Sequence, residues 1–181
     1  MDYYYLVSQL PDISSADTKS VLPITSEKFQ EICCRFVKEN EKSIIKNLSL
    51  IPPKENTPTG SDFLDNWYSK ERNLRFALAQ IRAQKLKKDS VSLPAGCTAD
   101  IVTAARTAVG MDSPFSAEQF LFEYRIKLLN DISPLDYFSI DSIYAYGIRL
   151  LLVERMKKFD MEKGKISYRK IYDGILSENK S

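Results

Sequence analysis

The sequence predicts an all-α protein: a compact or curved bundle of five to seven helices built around one long central helix. Three observations carry that expectation. Apolar residues recur at i, i+3, i+4 and i+7 in successive segments, the period of a helix with one buried face. The stretch 61–93 contains neither Gly nor Pro. Only 6 glycines occur in 181 residues, too few for a turn-rich sandwich or a glycine-loop nucleotide fold. Hydrophobic residues make up 44% and charged residues 28%, which allows a core and excludes wholesale disorder. Residues 1–181 read as one helical domain, with the proline-rich segment 52–60 as the place where two subdomains would divide.

The elements follow in order. Tyr3-Tyr4-Tyr5-Leu6-Val7 opens the chain as a short extended or helical piece, and Pro11 ends it. Residues 12–24 are polar, close on Pro23 and read as loop. Thr25 or Ser26 then caps a helix with Glu27 in its first turn. Phe29, Ile32, Cys33, Phe36 and Val37 form its single apolar face, over about four turns. A second short helix holds Ile44, Ile45 and Leu48. Residues 52–60, Pro-Pro-Lys-Glu-Asn-Thr-Pro-Thr-Gly, break any helix.

Ser61 caps the next element, and Asp62 and Asp65 lie in its first turn. Phe63, Trp67, Leu74, Leu78 and Ile81 make its stripe, and Lys85, Lys87 and Lys88 crowd its end. Acid at the start and base at the end both suit the helix dipole. One helix over about 62–88 would span roughly 40 Å. Pro94 and Gly96 mark a loop. A small-residue helix with Ile101, Val102, Ala105, Ala108 and Val109 follows, stopped by Gly110 and Pro114. Ser116-Ala117-Glu118-Gln119 reads as a capping box opening a helix with Phe120, Leu121, Tyr124 and Leu128. After Pro134 a further helix starts near Ser139, with Asp141 in its first turn. Ile143, Tyr144 and Leu150-Leu151-Leu152-Val153 make it apolar on more than one side, so it belongs near the centre. Gly147 would admit a close helix–helix approach. Asp160 to Gly164 reads as a polar turn before a last helix with Ile166, Ile171, Tyr172 and Ile175.

Histidine is absent. That removes Ser-His-Asp and Cys-His nucleophile systems, His-ligated zinc and imidazole acid–base steps. No Gly-x-x-x-x-Gly-Lys, Gly-x-Gly-x-x-Gly or Cys-x-x-Cys occurs. Three cysteines, Cys33, Cys34 and Cys97, are an odd count that does not suit a disulfide framework, and they read as reduced, small apolar residues. The expectation is no catalytic, cofactor-binding or metal-ligating residue, and no enzyme. A carboxylate, Tyr and Lys pocket enzyme is the minor reading. The longest apolar run, Leu150–Val153, is far short of the ~20 residues of a membrane span. The N-terminus lacks the basic start of a signal peptide. The chain therefore reads as cytoplasmic, reaching a membrane only through protein partners.

Charge is nearly balanced, with 26 Lys+Arg against 24 Asp+Glu. It is uneven along the chain. Residues 70–88 hold Lys70, Arg72, Arg75, Arg82, Lys85, Lys87 and Lys88 against Glu71 alone. With Trp67, Tyr68 and Phe76 interleaved, this stripe suits a single-stranded nucleic-acid module; the plainer reading is a solvated face with a dipole-matched end. Glu71-Arg72 and Glu154-Arg155 are charged pairs inside apolar helices. Glu71 has Arg75 at i+4, a pair worth ~0.3–0.5 kcal/mol on a surface. Glu154, beside the apolar run, is expected to take Arg72 or Arg75 as its cation, with surface pairs on separate faces as the alternative. Trp67, Arg72, Arg75, Tyr144 and Arg149 are candidate partner contacts, since aromatics and Arg dominate interface energetics. Trp67 and Tyr144 also read as core. With Glu71, Glu154 and Arg155 they complete the candidate partner-binding or structural network.

Three ordered blocks carry a resemblance. Tyr3-Tyr4-Tyr5-Leu6-Val7-x-x-Leu10-Pro11 looks like the N-terminus, and Trp67-Tyr68-x-x-Glu71-Arg72-Asn73-Leu74-Arg75-x-Ala77-Leu78 like the central helix, of an uncharacterised family encoded in bacterial V-type ATP synthase operons. Asp136-Tyr137-Phe138-Ser139-Ile140-Asp141-x-Ile143-x-Ala145-Tyr146, Leu150 to Arg155, and Asp160-x-Glu162-x-Gly164 resemble its C-terminal part. That family is loosely similar to the C subunit of such ATPases (subunit d in eukaryotes), an all-helical piece between the central stalk and the membrane ring. The resemblance implies a non-catalytic coupling subunit or assembly factor, with stalk and ring subunits as protein partners and a peripheral position at the membrane's cytoplasmic face. C-type subunits are longer and built from three similar modules, so this chain matches only part of one. The nucleic-acid module using 70–88 stands as the alternative.

Overall fold

The computed structural model describes residues 3–13, 21–55, 57–89, 92–159 and 161–178. Among them the chain forms eight helices and no strand, as the apolar spacing requires. They are α1 (Tyr4–Gln9), α2 (Ser26–Cys33), α3 (Glu39–Lys46), α4 (Asp62–Lys85), α5 (Ala99–Gly110), α6 (Pro114–Ile132), α7 (Ile140–Lys157) and α8 (Met161–Glu178). The count exceeds seven because the N-terminal piece is itself helical. Pro11 lies just beyond it, and the Leu10 N–H closes the last turn on the Val7 carbonyl at 3.2 Å.

α7 is the axis of the bundle. It packs against α2, α3, α4 and α6, and it buries Ile143, Tyr144, Ile148, Leu150, Leu152, Val153 and Met156 on several sides. At Gly147 the side chains of Phe29 and Leu48 press on the α7 backbone. A Cβ placed there would lie 2.8 Å from Leu48 Cδ1 and 2.9 Å from Phe29 Cε1. Three of the helix starts are capped by serine or threonine hydroxyls. Thr25, Ser61 and Ser139 each accept the N–H three residues on, from Lys28, Leu64 and Ser142. Ser61 Oγ also lies 2.6 Å from Asp141 Oδ1, which ties the start of α4 to the first turn of α7.

Two apolar clusters share the long helices. The larger gathers α1, α2, α3, the first half of α4, the second half of α6, and α7, around Trp67, Leu64, Ile45 and Tyr144. The smaller gathers Leu74, Ala77 and Leu78 of α4 with Ile101, Ala105 and Ala108 of α5 and Leu121 of α6. Alanines on α5 let it lie close along α4. The proline-rich segment is stitched to the side of α4. Arg72 donates to the Pro53 carbonyl at 3.1 Å, Arg75 to the Leu50 carbonyl at 3.1 Å, and Thr59 N–H to Asp65 Oδ1 at 2.9 Å.

Four boundaries differ from the sequence reading. α2 is two turns rather than four: the Arg35 and Phe36 N–H groups bond to carbonyls three residues back, and Lys38 turns extended to cap α3. The Glu41 carboxylate accepts the Lys38 N–H at 2.8 Å, which fixes the start of α3 there and divides the run into two helices. Phe36 is consequently exposed while Val37 is buried. α6 opens at Pro114 with Ser113 as its cap, not at Ser116, because a first-turn proline gives up an N–H that has no partner there anyway. α4 ends at Lys85, with Lys87 left-handed at φ 52°. Lys88 N–H then bonds to Ala83 O and Lys87 N–H to Gln84 O, a Schellman ending. The expected turn at Asp160–Gly164 is instead the beginning of α8 from Met161 onward; Asp160, like residues 14–20 of the first loop, lies outside the described residues.

Candidate functional site

The candidate site is a cleft of about 300 Å³ where α4, α6 and α7 meet. Helical spacing builds it. Glu71, Arg75, Leu78, Ala79 and Arg82 share one face of α4 at i, i+4, i+7, i+8 and i+11. Glu118, Leu121 and Arg125 face them from α6, and Leu152 and Arg155 from α7, with Leu50 at one end. Apolar walls and a charged floor alternate because each helix contributes both kinds of residue to the same stripe.

The floor is an ion triad. Glu71 is 1% exposed. Its Oε2 accepts from Arg125 Nε at 2.8 Å, and its Oε1 from Arg125 Nη2 at 3.0 Å and from Arg75 Nε at 2.8 Å. A buried carboxylate is tolerated only when its oxygens are occupied, and three charge-assisted hydrogen bonds do that here. Arg125 is itself buried, and Glu71 balances its charge. At the rim, Arg155 pairs with Glu118 at 2.9 Å and lies over the Phe159 ring at 5.7 Å.

The expected network divides. Glu71, Arg75 and Arg155 do meet at this cleft, and Arg72 flanks it beside Pro53. Trp67 and Tyr144 are fully buried, so they are core and not surface contacts. Among the described residues Trp67 Nε1 has no hydrogen-bond partner, an orphaned donor costing about 1–3 kcal/mol. Burial, with help from Glu41 and Asp141, raises the Tyr144 hydroxyl pKa. Arg149 belongs to a different depression, beside Tyr137 and Tyr146, and donates to Asn130 Oδ1 at 2.5 Å. Burial lowers its pKa and Asp12 opposes that shift.

Glu154 corrects the expected exchange with Arg72 or Arg75. Its Oε1 accepts the Ser26 N–H at 2.7 Å. A carboxylate at the first turn of α2 satisfies an orphan N–H and the positive end of that helix, so no guanidinium is needed. The cation that does matter, Arg125, escaped the sequence reading. Its signal was present: it interrupts the stripe Leu121, Phe122, Ile126, Leu128 and Leu129, all buried.

The nucleic-acid surface expected at 70–88 loses much of its stacking face. Trp67 and Tyr68 are buried and Phe76 alone of the three aromatics is exposed. Lys85 Nζ donates to the Val109 carbonyl at 3.2 Å. All three thiols are free; burial pushes that of Cys33 up to about 12 and raises that of Cys97. Among the described residues no group of His, Cys, Asp and Glu is placed to hold a metal ion, and no helix is long and apolar enough to cross a membrane.

The fold and site thus define an all-helical protein with an arginine-rich cleft. Residues 107–179 match the family described as Protein of unknown function (DUF2764). The matched stretch runs from the end of α5 through α6, α7 and α8, and it supplies Glu118, Leu121, Arg125, Leu152 and Arg155 of the cleft. No curated protein and no solved structure matches the chain.

Proposed function

We propose that this chain is a non-catalytic helical subunit or assembly factor of a V-type ATP synthase, acting between the central stalk and the membrane ring. The observation that carries a protein-binding role is α8. Ile166, Tyr168, Ile171, Tyr172 and Ile175 are all more than half exposed. Tyr168, Ile171, Tyr172 and Ile175, at i, i+3, i+4 and i+7, make one apolar stripe, and among the described residues α8 forms no close pair with another helix. An apolar stripe of that kind marks a surface that a partner covers. The assignment to a V-type ATP synthase rests on the resemblance of residues 136–146 and 150–155; the match of residues 107–179 to a family of unknown function carries no activity of its own.

The test is recovery of a tagged chain from gently solubilised host membranes, with co-purifying chains identified by mass spectrometry. Catalytic, stalk and ring subunits in fixed ratio would mean a structural subunit; unassembled stalk subunits alone would mean an assembly factor. An Ile171→Glu, Ile175→Glu variant should keep its melting temperature and lose those partners. Recovery of no ATPase subunit overturns the assignment.

A further inference from the structure

We propose that the cleft between α4, α6 and α7 is a binding site for a compact oxyanion of two or more negative charges, a phosphoryl or polycarboxylate ligand. The inference stands independently of the ATP synthase reading. Four arginines line the cleft, Arg75, Arg82, Arg125 and Arg155, against two carboxylates, Glu71 and Glu118. Both carboxylates are engaged: Glu71 by Arg125 and Arg75, Glu118 by Arg155. Two positive charges remain in excess. The Arg82 side chain has neither a hydrogen-bond nor an ion-pair partner among the described residues. Like charges gathered in a cleft walled by Leu50, Leu78, Leu121 and Leu152 repel one another, and the low-dielectric walls strengthen that field. An anion relieves it.

The geometry favours oxyanions over other anions. Guanidinium forks match carboxylate and phosphoryl oxygens with paired N–H bonds. Arg75 is already ordered, its Nε on Glu71 and its Nη2 on the Leu50 carbonyl, yet its side chain is 41% exposed. Part of the ordering cost of binding is therefore met beforehand. A volume of about 300 Å³ suits a small ligand, and no aromatic ring lines the cleft to stack a nucleobase. Ala79, the smallest side chain of the lining, leaves the space between Arg75 and Arg82 open.

Calorimetric titration of the full chain with pyrophosphate and, separately, with citrate tests this in about 50 mM NaCl. The expected dissociation constant is about 1 mM or tighter for at least one of them, weakening roughly tenfold in about 500 mM NaCl. Arg82→Gln should weaken it about tenfold at unchanged melting temperature, and Glu118→Gln should tighten it. Lys88→Gln removes the same charge outside the cleft and should leave it unchanged. Binding of pyrophosphate alone identifies a phosphoryl ligand, and binding of citrate alone a polycarboxylate. Absence of saturable binding of either at about 10 mM, or an equal loss in Lys88→Gln, overturns the proposal.

Discussion

Replacing Glu71 by Gln should unfold this protein more readily than any other single isosteric change in the cleft. The substitution keeps shape and volume. It strips the charge that balances buried Arg125 and turns one acceptor oxygen into an N–H donor facing guanidinium N–H groups. Two of the three bonds to Glu71 come from the nearly enclosed Arg125 side chain, and the third from Arg75, whose exposure screens it. Hydrogen bonds to a charged group are worth about 1.5–3 kcal/mol each, and breaking one side of a buried ion pair costs about 3–5 kcal/mol. Counting the two Arg125 bonds and discounting Arg75 gives about 3–6 kcal/mol, which overlaps that range. In a chain of this size, about 2–4 °C of melting temperature is lost per kcal/mol, so a fall of about 6–20 °C is expected. Arg125→Met should cost less, because Arg75 still neutralises Glu71. The double variant Glu71→Leu, Arg125→Met should recover most of the loss, since an apolar pair of similar volume removes both desolvation penalties. With Glu71→Leu as the matching single variant, urea unfolding of it, Arg125→Met, the double variant and the native chain completes the cycle. A loss below about 1 kcal/mol for Glu71→Gln, or a double variant no better than Glu71→Gln alone, would refute the triad as the floor of the cleft.

Other perturbations follow from the packing and the caps. Gly147→Ala should destabilise by about 1–2 kcal/mol in urea melts despite alanine's better helix propensity, because Phe29 and Leu48 already fill the space its Cβ needs; adding Leu48→Ala should return part of the loss. Lys87→Gly should raise the melting midpoint, a gain of about 0.5–1 kcal/mol, because the Schellman ending of α4 places Lys87 at φ 52°, which glycine adopts without a Cβ clash. Stability should fall with alkali. Burial and the bond to Glu41 raise the Tyr3 hydroxyl from 10 to about 12. A pKa raised on folding means that the folded chain holds the proton longer, so this contribution is complete below pH 10 and lost as pH rises towards 12. Tyr124, Tyr144 and Tyr146 shift in the same direction. Urea midpoints at pH 9, 10 and 11 should drop steadily, and Tyr3→Phe should narrow its deficit against the native chain over that range. A deficit independent of pH would contradict the Tyr3–Glu41 bond.

The helices were legible because their signals are local. Ser61, Thr25 and Ser139 announce the starts they cap, and the absence of Gly and Pro over 61–93 leaves α4 uninterrupted. Where the reading slipped, two local signals competed and tertiary context chose between them. Phe36 continues the α2 stripe by spacing, yet Glu41 accepts the Lys38 N–H at the start of α3 and Tyr3 donates to the same carboxylate oxygen at 2.5 Å. That long-range bond is invisible along the chain. Ser113-Pro114 and Ser116 both offer a start for α6, and the earlier one wins because Pro114 suits the first helical position.

The site was half legible for a different reason. Charge partners lie across space, and periodicity gives only the face on which each residue stands. Glu71 and Arg75 were found because their bond spans one turn of one helix. Glu154, beside an apolar run, is expected to need a cation, and the structure gives it a backbone N–H instead. The donor is the backbone of α2, which sequence spacing cannot rank against an arginine side chain. Arg125 follows from the converse argument. An arginine in the middle of the α6 stripe is too costly to bury alone, so a carboxylate must face it, and Glu71 is the buried carboxylate of the helix alongside. Read together, an intruding Arg on one helix and an intruding Glu on another predict each other, and the surplus arginines around them predict an anion.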